Sequence, residues 1–166
     1  MTIRTSPAQV EHIPAILAIY NDAVLHTTAS WDYEPNTLQQ RTQWFEQHQT
    51  LGFPVLIALD ETNRVVGWGA LSKFREKIGY QYTVEHSVYV AADRRGQGIG
   101  RLLLQALLEE AQRLGKHVII GGVEASNEVS LRLHKSLGFE EVARFKQVGY
   151  KFDRWLDLIF LQRVLD

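Results

Sequence analysis

The chain contains no cysteine among its 166 residues, which excludes disulfides, thiolate metal sites and a cysteine nucleophile together. Its six histidines are scattered without a ligand-spaced pair such as His-x-x-x-His, so no metal site is expected. An excess of one charge is missing as well: 18 Lys and Arg face 19 Asp and Glu, for a net charge of −1. No basic run forms a stripe for a polyanion, so nucleic acid is not an expected partner. Residues Met1 to Pro7 lack the apolar run of a secretory leader, and no later stretch is long enough to span a bilayer. No membrane association is expected, and the expected location is the cytoplasm.

What is present is a globular composition, 45% hydrophobic and 22% charged, which supports neither disorder nor a fibrous repeat. With no linker or internal repeat, residues 1–166 are read as one domain, a size that buries roughly 70% of its unfolded surface. Ile13, Ile16, Leu17, Tyr20, Ala23 and Val24 fall at helical spacing, with Pro14 tolerated in the first turn. A second helix is expected after Asn36, carrying Leu38, Trp44, Phe45 and His48. Val55 to Leu59 and Val65 to Leu71 read as a hairpin across residues 60–64, and Thr83 to Val90 as a third strand. A helix over Gly100 to Leu114 stops at Gly115; a strand, Val118 to Ile120, follows. Another helix starts at Ser126 or Asn127 and ends at Gly138. Strands Glu141 to Phe145 and Trp155 to Leu165 finish the chain. The order predicts a mixed α/β (α+β) domain with a largely antiparallel sheet flanked by helices, its parallel element supplied by residues 84–123.

Gly96, Gly98 and Gly100 alternate after a strand signal and before a helix. Glycine permits positive φ and close backbone approach, so successive N–H groups can face one concavity. A helix N-terminus there favours a phosphate or pyrophosphate, with Arg94, Arg95 and Arg101 at the rim. Taken alone, the hexapeptide is also compatible with a glycine-rich turn that holds nothing. A P-loop needs Gly-Lys-Ser/Thr, but Gly100 is followed by Arg101-Leu102. The dinucleotide pattern G-x-G-x-x-G lacks its third glycine in either frame.

Arg95, Gly98 and Gly100 match Arg/Gln-x-x-Gly-x-Gly/Ala, and the segment resembles the cofactor signature of the GCN5-related N-acetyltransferases (GNATs). The resemblance extends through Asn127-x-x-Ser130-x-x-Leu133-His134-x-x-Leu137-Gly138-Phe139 and Val65-Val66-Gly67. Residues 82–90 and 148–157 are similar to the phosphinothricin and methionine sulfoximine acetyltransferase branch. That branch implies acetyl-CoA as donor, no metal, a small amino-acid analogue as acceptor and a homodimer. It implies a cofactor site from the backbone of Val88, Tyr89 and Val90, from Arg95, Gly96, Gln97, Gly98, Ile99, Gly100 and Arg101, and from Asn127 and Ser130.

Amide formation from a thioester needs a neutral amine. An α-amino group of pKa about 8 is roughly one-tenth neutral at pH 7, a penalty near 1.4 kcal/mol, against about 4.6 for a lysine amine near 10.4. One carboxylate base therefore suffices for an α-amine, and Glu85, which matches the branch's catalytic Glu, is the candidate. The resemblance gives His134 a secondary role, as an acid toward the departing thiolate or as a positioning group; a packing or capping histidine on that helix is the alternative. Arg75 is the expected anchor for an α-carboxylate, since a guanidinium fork meets it bidentately. Trp31, Phe74, Glu85, His86 and Ser87 complete the expected acceptor site, with Tyr33 beside Trp31. Phe74 replaces the branch's Trp and Glu76-Lys77 its Pro/Ser-Phe, so the acceptor wall differs; Asp153 stands where the branch has glycine. Other amines (a polyamine, an aminoglycoside, a protein N-terminus) and a CoA-binding regulatory module without turnover are the alternatives.

Overall fold

A computed structural model describes residues 2–166. Seven strands form one sheet: β1 (Arg4–Pro7), β2 (Val55–Leu59), β3 (Val65–Lys73), β4 (Thr83–Val90), β5 (Val118–Glu124), β6 (Glu140–Lys151) and β7 (Arg154–Val164). Four α-helices accompany them: α1 (Ile13–His26), α2 (Leu38–Leu51), α3 (Ile99–Arg113) and α4 (Glu128–Ser136). The strand order is β1-β2-β3-β4-β5-β7-β6, and among the described residues only the β4/β5 pair is parallel. The expected mixed, mostly antiparallel architecture is present. No helix among the described residues is long and apolar enough to cross a membrane.

The helices divide between the two faces. Leu103, Leu104 and Leu107 give α3 a fully buried stripe against Val84 and Ile119, each such side chain stabilising by about 2 kcal/mol. α3 sits so close that a Cβ at Gly69 would stand 2.9 Å from Leu107 Cδ1, which is why β3 carries glycine there. On the other face, Ile13 and Ile16 of α1 and Phe45 of α2 pack with Ile57, Trp68 and Ala70. Thr37 and Gln40 cap α2 reciprocally, at 3.1 and 2.8 Å, and Gly52 ends it in the left-handed region at φ 74°.

Several boundaries differ from the sequence expectation, β3 and β5 running on to Lys73 and Glu124 among them. β1 was not anticipated; it is four residues long and ends in proline, too short to show alternation. β6 runs on to Lys151 instead of stopping at Phe145. Nine consecutive positions hold only one residue that is not exposed, and two register shifts break the pairing, so no period of two survives in the sequence. Between β4 and the glycine segment lies a short 3-10 turn, Ala92–Arg94.

The feature that positions the site lies at the middle of the sheet. β4 and β5 pair only through Thr83/Val118, Val84/Ile119 and Glu85/Ile120. Beyond that step β4 stays paired with β3 as far as Val90, and β5 with β7 as far as Glu124. The sheet therefore opens between two blades, each kept by its outer neighbour.

Candidate active site

Gly98 is the N-cap of α3 with φ 80°, and Gly96 has φ 76°. A Cβ at either would meet nothing within 4 Å. Conformation, not crowding, requires these glycines, and the backbone beside them is open to a ligand. The first amides of α3 have no intrahelical acceptor and carry the positive end of the helix dipole, so the segment fits a pyrophosphate. Arg95 and Arg101 are exposed beside it, Arg95 3.7 Å from Asp22 and Arg101 donating to Ser136 Oγ at 2.7 Å. Arg94, expected at the rim, turns inward. Its Nη1 donates to the buried Asp60 at 2.9 Å, and its Nε to Gln97 at 3.3 Å. Asp60 also accepts from Thr62 N and Oγ and from Arg64 N. Those bonds, led by Thr62 and joined by Arg94, hold its carboxyl well below the usual range. Arg64 adds a two-pronged pair to Asp93 at 2.8 and 3.0 Å. The β2–β3 turn is thus the outside support of the glycine loop, a role no local motif announced.

At α4, Asn127 caps the helix, its Oδ1 accepting from Ser130 N at 3.2 Å; its amide nitrogen remains available as a donor. His134 is buried at the other end.

On the α1/α2 face a cavity of about 200 Å³ is lined by Thr28, Ala29, Trp31, Arg75, Glu85, Gly122, Glu124, Leu158 and Phe160. Five separate stretches of chain meet here. Glu85 is half-buried; burial raises its pKa, and the Arg75 guanidinium opposes that rise. Arg75 lies 4.3 Å over the Phe74 ring and donates to the Phe74 carbonyl at 2.9 Å. Phe74 in turn meets Tyr80 and Phe160 edge-on. It shapes the cavity through Phe160 and Arg75, without lining it.

Trp31 is fixed by its indole N–H donating to Thr28 O at 3.1 Å. Its ring lies on Gly149, where a Cβ would stand 2.4 Å away. Tyr33, expected beside it, instead donates its hydroxyl to the Tyr150 carbonyl and is not among the lining residues. Lys151 pins the same loop: buried on β6, its Nζ donates to Thr27 O at 2.8 Å and Ser30 O at 2.6 Å. Glu124, which the sequence did not single out, brings a second carboxylate. Its Oε2 accepts from Ser126 N at 2.7 Å and Ser126 Oγ at 2.5 Å, and Arg154 stands 3.7 Å from Oε1. Its charge is engaged in holding the turn into α4.

Two further expected acceptor contacts, besides Phe74, are not assembled. His86 points away from Glu85, onto the α3/α4 face, where it meets His134 with 2.9 Å between Nε2 atoms. Successive strand side chains face opposite ways, and Glu85 and His86 are successive. Ser87 is exposed on Glu85's side of the strand but lines no part of the cavity. Tyr89 turns its ring onto Trp68 and Tyr20, and Val88 and Val90 pack on the α3 core, so only backbone groups of this trio are free for a ligand. Glu85 and His134 flank the opened sheet from opposite faces. A larger groove of about 420 Å³, lined by Thr5, Gln105, Glu109, Gln112, Arg163 and neighbours, contains none of the expected site residues. Among the described residues no cluster of His, Cys, Asp and Glu fits a metal ion.

A family model described as Acetyltransferase (GNAT) family matches residues 16–139. The L-methionine sulfoximine/L-methionine sulfone acetyltransferase of Salmonella typhimurium is 48% identical, over 100% of this chain and 95% of that protein. The phosphinothricin N-acetyltransferase of Streptomyces coelicolor is 33% identical, over 98% of this chain and 96% of that protein. Among solved structures, a Salmonella typhimurium acetyltransferase with its cofactor acetyl-CoA superimposes at TM-score 0.96 and 46% identity, over 99% of this chain and 94% of that one.

Proposed function

The chain belongs to the GNAT acetyltransferase family, and from that premise we propose that it transfers the acetyl group of acetyl-CoA to the α-amino group of a small amino-acid analogue of the methionine sulfoximine, methionine sulfone or phosphinothricin type. The observation that carries the acceptor half is the cavity in which a guanidinium, Arg75, and a half-buried carboxylate, Glu85, stand together beside the opening of the sheet. A zwitterionic α-amino acid presents the complementary pair, a carboxylate and an ammonium. The full-length likeness to the sulfoximine and phosphinothricin enzymes supports the same acceptor class.

On this reading Arg75 orients the acceptor through its carboxylate, and Glu85 takes a proton from the ammonium, directly or through a water. Its raised pKa makes it a stronger base than an exposed carboxylate. Acetyl-CoA, when bound, supplies the acetyl thioester that the amine attacks. The residues proposed to hold it are Arg95 through Arg101 at the pyrophosphate and Asn127 and Ser130 along the arm. Backbone N–H groups of Val88, Tyr89 and Val90 are proposed to polarise the carbonyl oxygen. Trp31 forms the wall against the acceptor side chain.

The homodimer belongs to the same proposal. β6 ends the sheet as an edge strand; its Val148 is 56% exposed, and its Tyr150 pairs with Trp155 of β7, which is 63% exposed. An apolar edge of that kind calls for cover, and a second copy supplies it; light scattering on the eluting protein tests this, with a monomeric mass against it.

The deciding measurement is thiol release from acetyl-CoA with methionine sulfone, methionine sulfoximine, phosphinothricin, free amino acids and polyamines as acceptors. Turnover with the first three and little with polyamines is expected. No turnover with any of the three defeats the acceptor assignment.

A further inference from the structure

A donor bound along the α3/α4 face and an acceptor in the α1/α2 cavity can meet only where the sheet is open. The opening begins immediately after Glu85/Ile120, and the first residues beyond it are His86 and Gly121. His86 lies across Gly121 so closely that a Cβ there would stand 2.4 Å from its Nε2 and 3.0 Å from His134 Nε2. The two imidazoles stack, with centroids 5.0 Å apart and 20° between planes, and Phe139 meets both edge-on.

The partners decide where the protons are. His134 Nδ1 is 2.7 Å from the Ser130 carbonyl oxygen, which can only accept, so Nδ1 carries hydrogen. Burial keeps both rings neutral: it lowers the pKa of His134, and with His134 alongside it brings His86 down to about 3. A neutral His134 with hydrogen on Nδ1 has a bare Nε2, so the 2.9 Å contact requires the proton on His86 Nε2. His86 Nδ1 is then a bare lone pair, buried with no partner among the described residues.

We propose that His86 is a positioning residue for the acetyl thioester: with His134 it forms one neutral imidazole pair that lines the mouth of the β4/β5 opening, and neither ring gives a proton to the departing sulfur. The proposal rests on the acetyltransferase reading and assigns His134 the positioning role of the two open to it. His134's only proton is committed to Ser130, and its second nitrogen is capped by His86. No acid is needed for balance. The acceptor ammonium brings three protons and the amide keeps one. Glu85 passes one to solvent, and the other goes from the attacking nitrogen to the thiolate as the C–S bond breaks. A thiolate of pKa about 8.5 is a competent leaving group without help.

Imidazole ¹⁵N NMR at pH 7 reads the tautomers without any ligand. One ring protonated at Nδ1 and one at Nε2, both neutral, is expected; an imidazolium at either position overturns the pair. In calorimetric titration with acetyl-CoA, His86→Leu should weaken binding roughly tenfold. The acceptor KM should not move, and His86→Gln, which can donate from similar reach, should recover most of the acetyl-CoA affinity. Gly121→Ala should imitate His86→Leu by displacing the ring, and adding Gly121→Ala to His86→Ser should cost less than Gly121→Ala alone, since only the 3.0 Å approach to His134 Nε2 then remains. A fall in kcat of a hundredfold or more for His134→Gln with acetyl-CoA affinity intact would make His134 the acid and sink the proposal. Loss of turnover in the unaltered protein with intact acetyl-CoA binding and the expected tautomers would instead count against the acceptor assignment.

Discussion

The proposed donor side draws mainly on one run of chain, residues 95–101, braced from outside by the Asp60–Arg94 and Arg64–Asp93 pairs. The proposed acceptor side gathers Trp31, Arg75, Glu85, Glu124 and Phe160 from five stretches of chain, and the loop after α1 is tied to β6 by Lys151. A local motif with light bracing can be inherited unchanged while a wall made from many segments is altered piece by piece. Donor and acceptor recognition should therefore fail separately when either support is cut.

The largest effect is expected where the two sides meet. Glu85→Gln should lower kcat by about 10²–10⁴-fold and leave acetyl-CoA affinity unchanged in calorimetric titration. Equal loss of both would mean Glu85 supports the opening of the sheet instead of acting on the amine. The pH profile sharpens this. Since burial raises the Glu85 pKa above its ordinary 4.5, activity on the acid side should fall with a midpoint above that value. Arg75 opposes the rise, so Arg75→Gln should move the midpoint to still higher pH while raising the acceptor KM.

Lys151→Met comes next. It removes the donor from two loop carbonyls, and leaving such groups unpaired costs about 1–3 kcal/mol each at most. We expect kcat/KM for the acceptor to fall roughly tenfold through KM, by the measure of about 1.4 kcal/mol per decade, and acetyl-CoA affinity to hold. Asp60→Asn is the matching cut on the donor side, smaller because Arg64–Asp93 still braces the loop. It should raise the KM for acetyl-CoA about threefold, on the order of 0.6 kcal/mol, with the acceptor KM unmoved. Both constants moving together in either variant would dissolve the distinction between the sides.

The same contrast decides what the sequence could convey. The glycine loop, Asn127 and α3 were legible because their signals are local: positive-φ glycines, a capping side chain and a 3.6-residue apolar stripe. Glu85, which lines the cavity, was singled out through a motif on one strand. His86 was misplaced although strand periodicity alone puts it opposite Glu85. Glu124, Lys151 and the Asp60–Arg94 pair were not found. Each acts across at least one other element, and a buried charge looks in sequence like any surface charge until register sets its partner. The length of β6 was hidden for a related reason, since a strand exposed on both faces carries no alternation.

The β6–β7 turn offers the smallest test and asks whether the acceptor clamp tolerates change at its base. Phe152 and Asp153, immediately after Lys151, have φ of 54° and 57°. Two successive left-handed residues are the requirement of a two-residue type I′ hairpin, which favours glycine at the second position. Asp153 is tolerated because its short side chain bonds locally, accepting from Tyr150 Oη at 3.4 Å, but glycine adopts that conformation without strain. Asp153→Gly should therefore stabilise the protein by a few tenths to about 1 kcal/mol, read as a rise in thermal midpoint, and leave the acceptor KM unaltered because the Lys151 bonds lie before the turn. A raised acceptor KM with a raised midpoint would show that the turn tunes the clamp, extending the acceptor wall from the α1–α2 loop out to the tip of the hairpin.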